Sequence, residues 1–114
     1  MSLRNLSLVL LYRPSTNKII WKSKNNYFFN QHDVDIIDEK RISLFDNNAK
    51  FFYDGTKVDG SNKVVIYDFE TEKFSYHLEK SLKKQDVRTI FEGTSQILPN
   101  GDLFIEESKY GRTL

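Results

Sequence analysis

Residues 12–21, with the sequence YRPSTNKIIW, align without a gap with residues 67–76, with the sequence YDFETEKFSY. A tyrosine, a threonine, a lysine and a final aromatic residue recur in register between the two segments. In each segment a short polar stretch separates two potential strands, a pattern typical of a hairpin with a tight turn. The sequence therefore predicts that the chain contains the same hairpin twice.

A second, weaker repeat relates residues 36–44 (IIDEKRISL) to residues 97–105 (ILPNGDLFI), where Pro99-Asn100-Gly101-Asp102 is a strong turn signal. The two repeats alternate, as hairpins do in the four-stranded blades of a β-propeller. The order in which the two repeats alternate predicts the end of one blade at 7–24, a complete blade at 31–80 and the start of the next at 92–114. Residues 1–6 are predicted to be a leader or an expression-derived segment. The alternative is an eight-stranded meander or small barrel.

The chain as a whole is predicted to be all-β, as a partial β-propeller with antiparallel blades. Its apolar residues form short runs rich in Val, Ile, Phe and Tyr, and they nowhere sustain a helical spacing over three turns. The predicted strands are 7–12, 18–22, 33–37, 41–45, 63–68, 73–78, 95–98 and 103–106.

Composition excludes several classes of function. Lys and Arg (17) almost balance Asp and Glu (16), so no basic field of the kind that binds nucleic acid is expected. The absence of cysteine excludes disulfides, thiolate zinc sites and cysteine nucleophiles. No apolar run approaches the length of a membrane span, and no signal peptide is apparent.

Short turns alternate with long connections at 23–30, 46–62 and 79–93. In an up-and-down meander every second connection lies at the same end, so the three long connections are expected on one face, where binding sites usually lie. His32 enters an innermost strand from that face. Imidazole changes charge near neutral pH, so His32 is a candidate nucleophile, acid or base. A polar residue hydrogen-bonded at a strand start is the alternative.

Other chemistry-bearing residues have simpler interpretations. Asp33 and Asp35 share one strand face, a spacing that also suits structural hydrogen bonds or solvent exposure. Residues 46–48 (DNN) lack the acidic density and the glycine of a calcium loop and are interpreted as a turn. His77 is predicted to be a half-exposed residue of an outermost strand. No metal site and no cofactor are predicted.

Four segments together resemble the arylsulfotransferase family, which uses aryl sulfate esters as donors. They are NQHDVDII at 30–37, ISLFDN at 42–47, VVIYD at 64–68 and EGTSQILPNGD at 92–102. The resemblance implies a six-bladed propeller in which one of several channel histidines accepts a sulfuryl group from a phenolic sulfate ester and passes it to a phenol. It also implies a periplasmic or extracellular location.

Carried onto this sequence, the resemblance implies that His32 is the catalytic residue, either as the nucleophile or as a donor that holds the sulfate, and that Gln31, Asn47 and Glu92 bind substrate. The other histidines would come from other blades, so the chain alone is expected to be inactive and to self-associate or pack against those blades. Family members have an asparagine two residues after the histidine and an arginine at the end of the next strand. Here Val34 and Asn47 occupy those places, which weakens the transfer of activity to this chain. The alternative is a non-catalytic propeller that serves as a binding or interaction scaffold, since a fold alone does not fix function.

Overall fold

The computed structural model describes residues 1–24 and 27–114. The strands are β1 (Ser2–Leu3), β2 (Leu8–Arg13), β3 (Lys18–Lys22), β4 (His32–Ile36), β5 (Arg41–Asp46), β6 (Ala49–Phe52), β7 (Gly55–Val58), β8 (Lys63–Asp68), β9 (Lys73–His77), β10 (Thr94–Ile97), β11 (Leu103–Glu107) and β12 (Arg112–Thr113). The helical elements are two 3-10 turns, Arg4–Leu6 and Pro14–Thr16, and one short α-helix, α1 (Glu79–Lys84).

A four-stranded antiparallel sheet in the order β4-β5-β8-β9 forms the centre of the molecule. Consecutive residues of its middle strands β5 and β8 are buried. Since neighbouring side chains of a strand point to opposite sides, both faces of these strands are covered. Phe45 and Val64 pair across these strands and join one apolar core, whereas Leu44 and Val65 pair and join the other.

Two three-stranded antiparallel sheets flank the central sheet, β1-β2-β3 on one side and β10-β11-β12 on the other. Val9 and Phe28 complete the core shared with the first sheet. Ile105 completes the other core, together with Leu82 of α1 and Val87. Three sheets thus pack in sequence order, with apolar layers between them.

The two repeated hairpins share their register next to the turn, whereas a bulge between Leu11 and Tyr12 occurs only in the first. Tyr12 pairs with Ile19, and Tyr67, the aligned residue, pairs with Phe74. Their turns also match, because Asn17 and the aligned Glu72 both have a left-handed backbone, with φ of 52° and 56°. The second repeat behaves in the same way, since Ile36 pairs with Ile42 as Ile97 pairs with Leu103.

The predictions of an all-β fold and of antiparallel pairing are confirmed, and each predicted strand overlaps an observed one. Four strands and one helix were not predicted. Strands β6 and β7 form a separate hairpin within the connection 46–62, and α1 lies within the connection 79–93. Strand β1, within residues 1–6, pairs with β2, and β12 pairs with β11.

Gly93 occupies a position where a side chain has no room. Its φ is +93°, and an added Cβ would lie 2.7 Å from Cε1 of Phe45 and 3.0 Å from Cγ2 of Thr89. Gly93→Ala is therefore expected to lower the free energy of unfolding by about 2 kcal/mol, through overpacking and backbone strain. Urea denaturation of both proteins measures this loss.

Gly60 provides a matched control, because its φ is +85° and nothing lies within 4 Å of an added Cβ. Gly60→Ala should carry the backbone strain alone, about 1 kcal/mol. Equal losses in the two variants would show that the contact with Phe45 has no energetic consequence.

Candidate functional site

The three long connections meet at the end of the central sheet where β4 begins and β5 ends. The backbone N–H of Phe29, in the first connection, donates to Oδ1 of Asp46 at 2.8 Å. Asn47, in the second, donates through Nδ2 to the carbonyl oxygens of Thr89 (3.1 Å) and Glu92 (2.8 Å) in the third. The expectation that these connections share one face therefore agrees with their contacts.

His32 is the half-buried first residue of β4 and lies beside Asn47. Nδ1 of its imidazole is 2.6 Å from Oδ1 of Asn47. A bulge follows, because the register with β5 shifts between His32 and Val34, and Asp33 has a left-handed φ of 48°. Bulges of this kind redirect side chains at the ends of sheets. Among the described residues, the Nε2 atom of His32 has no hydrogen-bond partner.

The predicted site residues fall into two groups. Asn47 contacts the His32 ring directly, and the carbonyl of Glu92 accepts from Asn47, so these three residues are connected. Gln31 precedes His32 but is fully buried, and its Nε2 donates to the carbonyl of Leu8 and the hydroxyl of Ser2, both at 3.0 Å. The Glu92 side chain is exposed.

A buried asparagine that sequence reasoning missed, Asn62, supports this arrangement. Its Nδ2 donates to the carbonyls of Asn47 (2.7 Å) and Thr89 (2.9 Å), and its Oδ1 accepts from the backbone N–H of Thr89 at 2.7 Å. Its own backbone N–H donates to the carbonyl of Val87. Asn62 therefore fixes the connection that carries Asn47 against the one that carries Glu92.

Asp46, interpreted from the sequence as part of a turn, is the last residue of β5, and only 1% of it is exposed. Its Oδ1 accepts from the backbone N–H groups of Phe29 and Asn48, each at 2.8 Å, while Oδ2 has no partner among the described residues. Burial raises the pKa of Asp46 to about 6, although the two N–H donors and the nearby Lys63 and Lys50 oppose that increase.

The remaining chemistry-bearing residues have structural contacts. Oδ2 of Asp33 accepts from the backbone N–H of Ser95 at 2.8 Å, which ties β4 to β10. Burial, followed by the charge of Asp33, raises the pKa of Asp35. Nε2 of His77 lies 2.9 Å from the carbonyl of Gly101 and must donate to it, because a carbonyl only accepts. His77 thus bridges β9 to the turn after β10.

Within residues 1–24 and 27–114, no group of three or more His, Cys, Asp or Glu side chains could hold a metal ion. No helix in the same ranges is long and apolar enough to cross a membrane.

Neither a curated protein nor a solved structure matches the chain. The family model described as arylsulfotransferase (ASST) matches residues 1–114, the whole of the sequence, and confirms the resemblance based on the four segments. The chain therefore belongs to the arylsulfotransferase (ASST) family.

Proposed function

We propose that the chain is part of an arylsulfotransferase-like propeller protein in which His32 takes a sulfuryl group from a phenolic sulfate ester and passes it to a phenol. The observation that carries the proposal is the way the imidazole is held. Nδ1 contacts Asn47 at 2.6 Å, and Nε2 has no partner among the described residues. A ring fixed through one nitrogen and free at the other is suited to nucleophilic attack.

The reaction proceeds in two displacements at sulfur. The lone pair of Nε2 attacks the sulfur atom, an N–S bond forms, and the S–O bond to the aryl group breaks so that phenolate leaves with the electron pair. The oxygen of the acceptor phenol then attacks sulfur, the N–S bond breaks, and Nε2 recovers its electron pair. The proton of the acceptor phenol balances the phenolate released first, and no cofactor takes part.

The sulfated imidazole carries positive charge, so contacts to Nδ1 stabilise it. A hydrogen bond from Nδ1 to the uncharged Oδ1 of Asn47 becomes charge-assisted in that intermediate and gains strength. Of the residues predicted to bind substrate, Glu92 has an exposed side chain, whereas Asn47 and Gln31 are buried. We propose that Glu92 lines the substrate side of the site and that the two amides act through their neighbours.

The propeller is part of the same proposal. Three sheets in sequence order with apolar layers between them, and four strands in the middle sheet, agree with one complete blade between two incomplete ones. Apolar side chains remain exposed on the outer sheets, including Ile19 (60%) and Phe104 (43%). These surfaces suit packing against further blades or against a second copy.

The function is tested on the intact parent protein with an aryl sulfate donor and a phenol acceptor. With both substrates we expect release of the donor phenol and formation of the acceptor sulfate. With donor alone, and with the reaction quenched without acid, we expect a sulfuryl adduct on the peptide that contains His32. Mass spectrometry of the peptides locates the adduct. Turnover with the adduct on another residue would assign the nucleophile elsewhere.

A non-catalytic propeller scaffold is the second candidate. It is favoured by Asn47, which stands where family members have an arginine, and by the contact of His77 with Gly101 rather than with the loops around His32. Absence of both turnover and adduct in the intact parent protein would support the scaffold and reject the enzyme.

A further inference from the structure

We infer that Asn47 is a positioning residue that fixes the tautomer of His32, so that the proton lies on Nδ1 and the lone pair on Nε2. The inference about the tautomer concerns the chain itself. Its catalytic consequence rests on the function proposed above.

The first step is the orientation of the Asn47 amide. This side chain is fully buried, and its Nδ2 lies 3.1 Å from the carbonyl of Thr89 and 2.8 Å from the carbonyl of Glu92. A carbonyl oxygen can only accept, so the atom that faces both carbonyls must be the NH2 group. Rotating the amide by 180° would place Oδ1 against two acceptors and leave the NH2 group without them. The orientation of the amide is therefore determined by its two neighbours.

The second step is the proton on the ring. Because Nδ2 faces the carbonyls, Oδ1 faces His32, and the separation of 2.6 Å from Nδ1 requires a hydrogen bond. Oδ1 has no proton to donate, so Nδ1 must donate. In the neutral imidazole the other nitrogen then holds the lone pair. Thr89 and Glu92 thus determine, through Asn47, which nitrogen of His32 is nucleophilic.

The Thr89 carbonyl is itself fixed from a second direction. Nδ2 of Asn62 donates to it at 2.9 Å, and Oδ1 of Asn62 accepts from the backbone N–H of the same residue. The acceptor that orients Asn47 is therefore held within a buried network. Such networks restrict the groups they contain to one arrangement.

Asn48 provides the matched control. It is also buried, at 2% exposure, and its Nδ2 also faces two backbone carbonyls, those of Asp59 and Ser61. Within residues 1–24 and 27–114, however, its Oδ1 makes no hydrogen bond to His32. Loss of Asn48 removes an equivalent set of hydrogen bonds from the same connection without removing the acceptor for the imidazole.

The test is the nitrogen NMR spectrum of the imidazole in the 15N-labelled chain, at a pH where the ring is neutral. We expect wild-type His32 to have a protonated Nδ1 and an unprotonated Nε2. In Asn47→Ala the ratio of the Nδ1–H to the Nε2–H tautomer should fall by about fivefold or more, because one hydrogen bond to a single tautomer is lost. In Asn48→Ala the ratio should stay as in wild type.

Two outcomes would overturn the inference. One is a wild-type His32 with the proton on Nε2, a result that needs no variant and holds even if Asn47→Ala fails to fold. The other is an equal change of the ratio in the two alanine variants. If the Nδ1–H tautomer is found and the intact parent protein transfers no sulfuryl group, the inference stands and the proposed function fails.

Discussion

If His32 acts as proposed, its replacement by alanine reduces sulfuryl transfer by the intact parent protein by at least about a thousandfold, because the step that forms the N–S bond loses its nucleophile. The adduct observed after quenching with donor alone should also disappear. Initial rates of phenol release, measured at saturating donor, give the size of the effect. The loss should appear in kcat, since the bond to sulfur forms only in the reaction and not on binding.

His77→Ala is the matched control, because His77 is the only other histidine of the chain. It lies on β9, the edge strand of the central sheet opposite β4, and its Nε2 donates to the carbonyl of Gly101. We expect His77→Ala to retain turnover and the adduct. Retention of turnover in His32→Ala would remove His32 from the role of nucleophile, whatever the result for His77.

The strands were predictable because their signal is local. β5 and β8 consist of apolar runs bounded by turn residues, and the repeated hairpins share a tyrosine, a lysine and a turn in register. The helix α1 was missed because six residues with three lysines and one apolar side chain, Leu82, carry almost no helical periodicity. The β6–β7 hairpin was missed because Phe51 and Phe52 are both exposed, so its strands show no alternation of apolar and polar residues.

The candidate site was predictable only in part. The alternation of short and long connections placed His32, Asn47 and Glu92 near one another, and their contacts agree with that placement. Asn62 and Thr89 lie 27 residues apart in the chain, and nothing in either local sequence indicates that they pair. Buried amide networks form between distant segments, so they are visible only once the fold is known.

The burial of Asp46 makes the stability of the chain depend on pH. In the unfolded chain this carboxyl releases its proton near its ordinary pKa of 3.8, whereas in the folded chain burial raises the pKa to about 6. Between these values the folded state binds more protons than the unfolded state, so the free energy of unfolding falls as the pH rises. The raised pKa corresponds to a loss of about 2 kcal/mol between pH 4 and pH 7.

Asp46→Asn should remove this dependence. Oδ1 of an asparagine can still accept from Phe29 and Asn48, and the side chain is neutral at every pH. The charged and titratable groups that face the site, Lys63, Lys50 and Tyr76, are common to both proteins. We therefore expect the unfolding free energy of the variant, relative to that of wild type, to rise by about 2 kcal/mol between pH 4 and pH 7. Urea denaturation at both pH values measures this change.

Asp59→Asn separates this effect from a general effect of removing a carboxylate. Asp59 is exposed, and a hydrogen bond from Lys50, together with the charge of that lysine, holds the pKa of Asp59 below its ordinary value. The contribution of Asp59 to stability is therefore lost only as the pH falls through that lowered pKa. The difference between Asp59→Asn and wild type should therefore be constant from pH 5 to pH 6, a range in which the Asp46→Asn difference still changes steeply. A constant difference for Asp46→Asn as well would mean that Asp46 is ionised in the folded chain at its ordinary pKa, with its buried Oδ2 hydrated. A change of the expected sign would show that the loop holding Asn47 against His32 is fastened by a carboxyl that ionises near pH 6, and that the contribution of this carboxyl to stability is lost on the alkaline side of that pH.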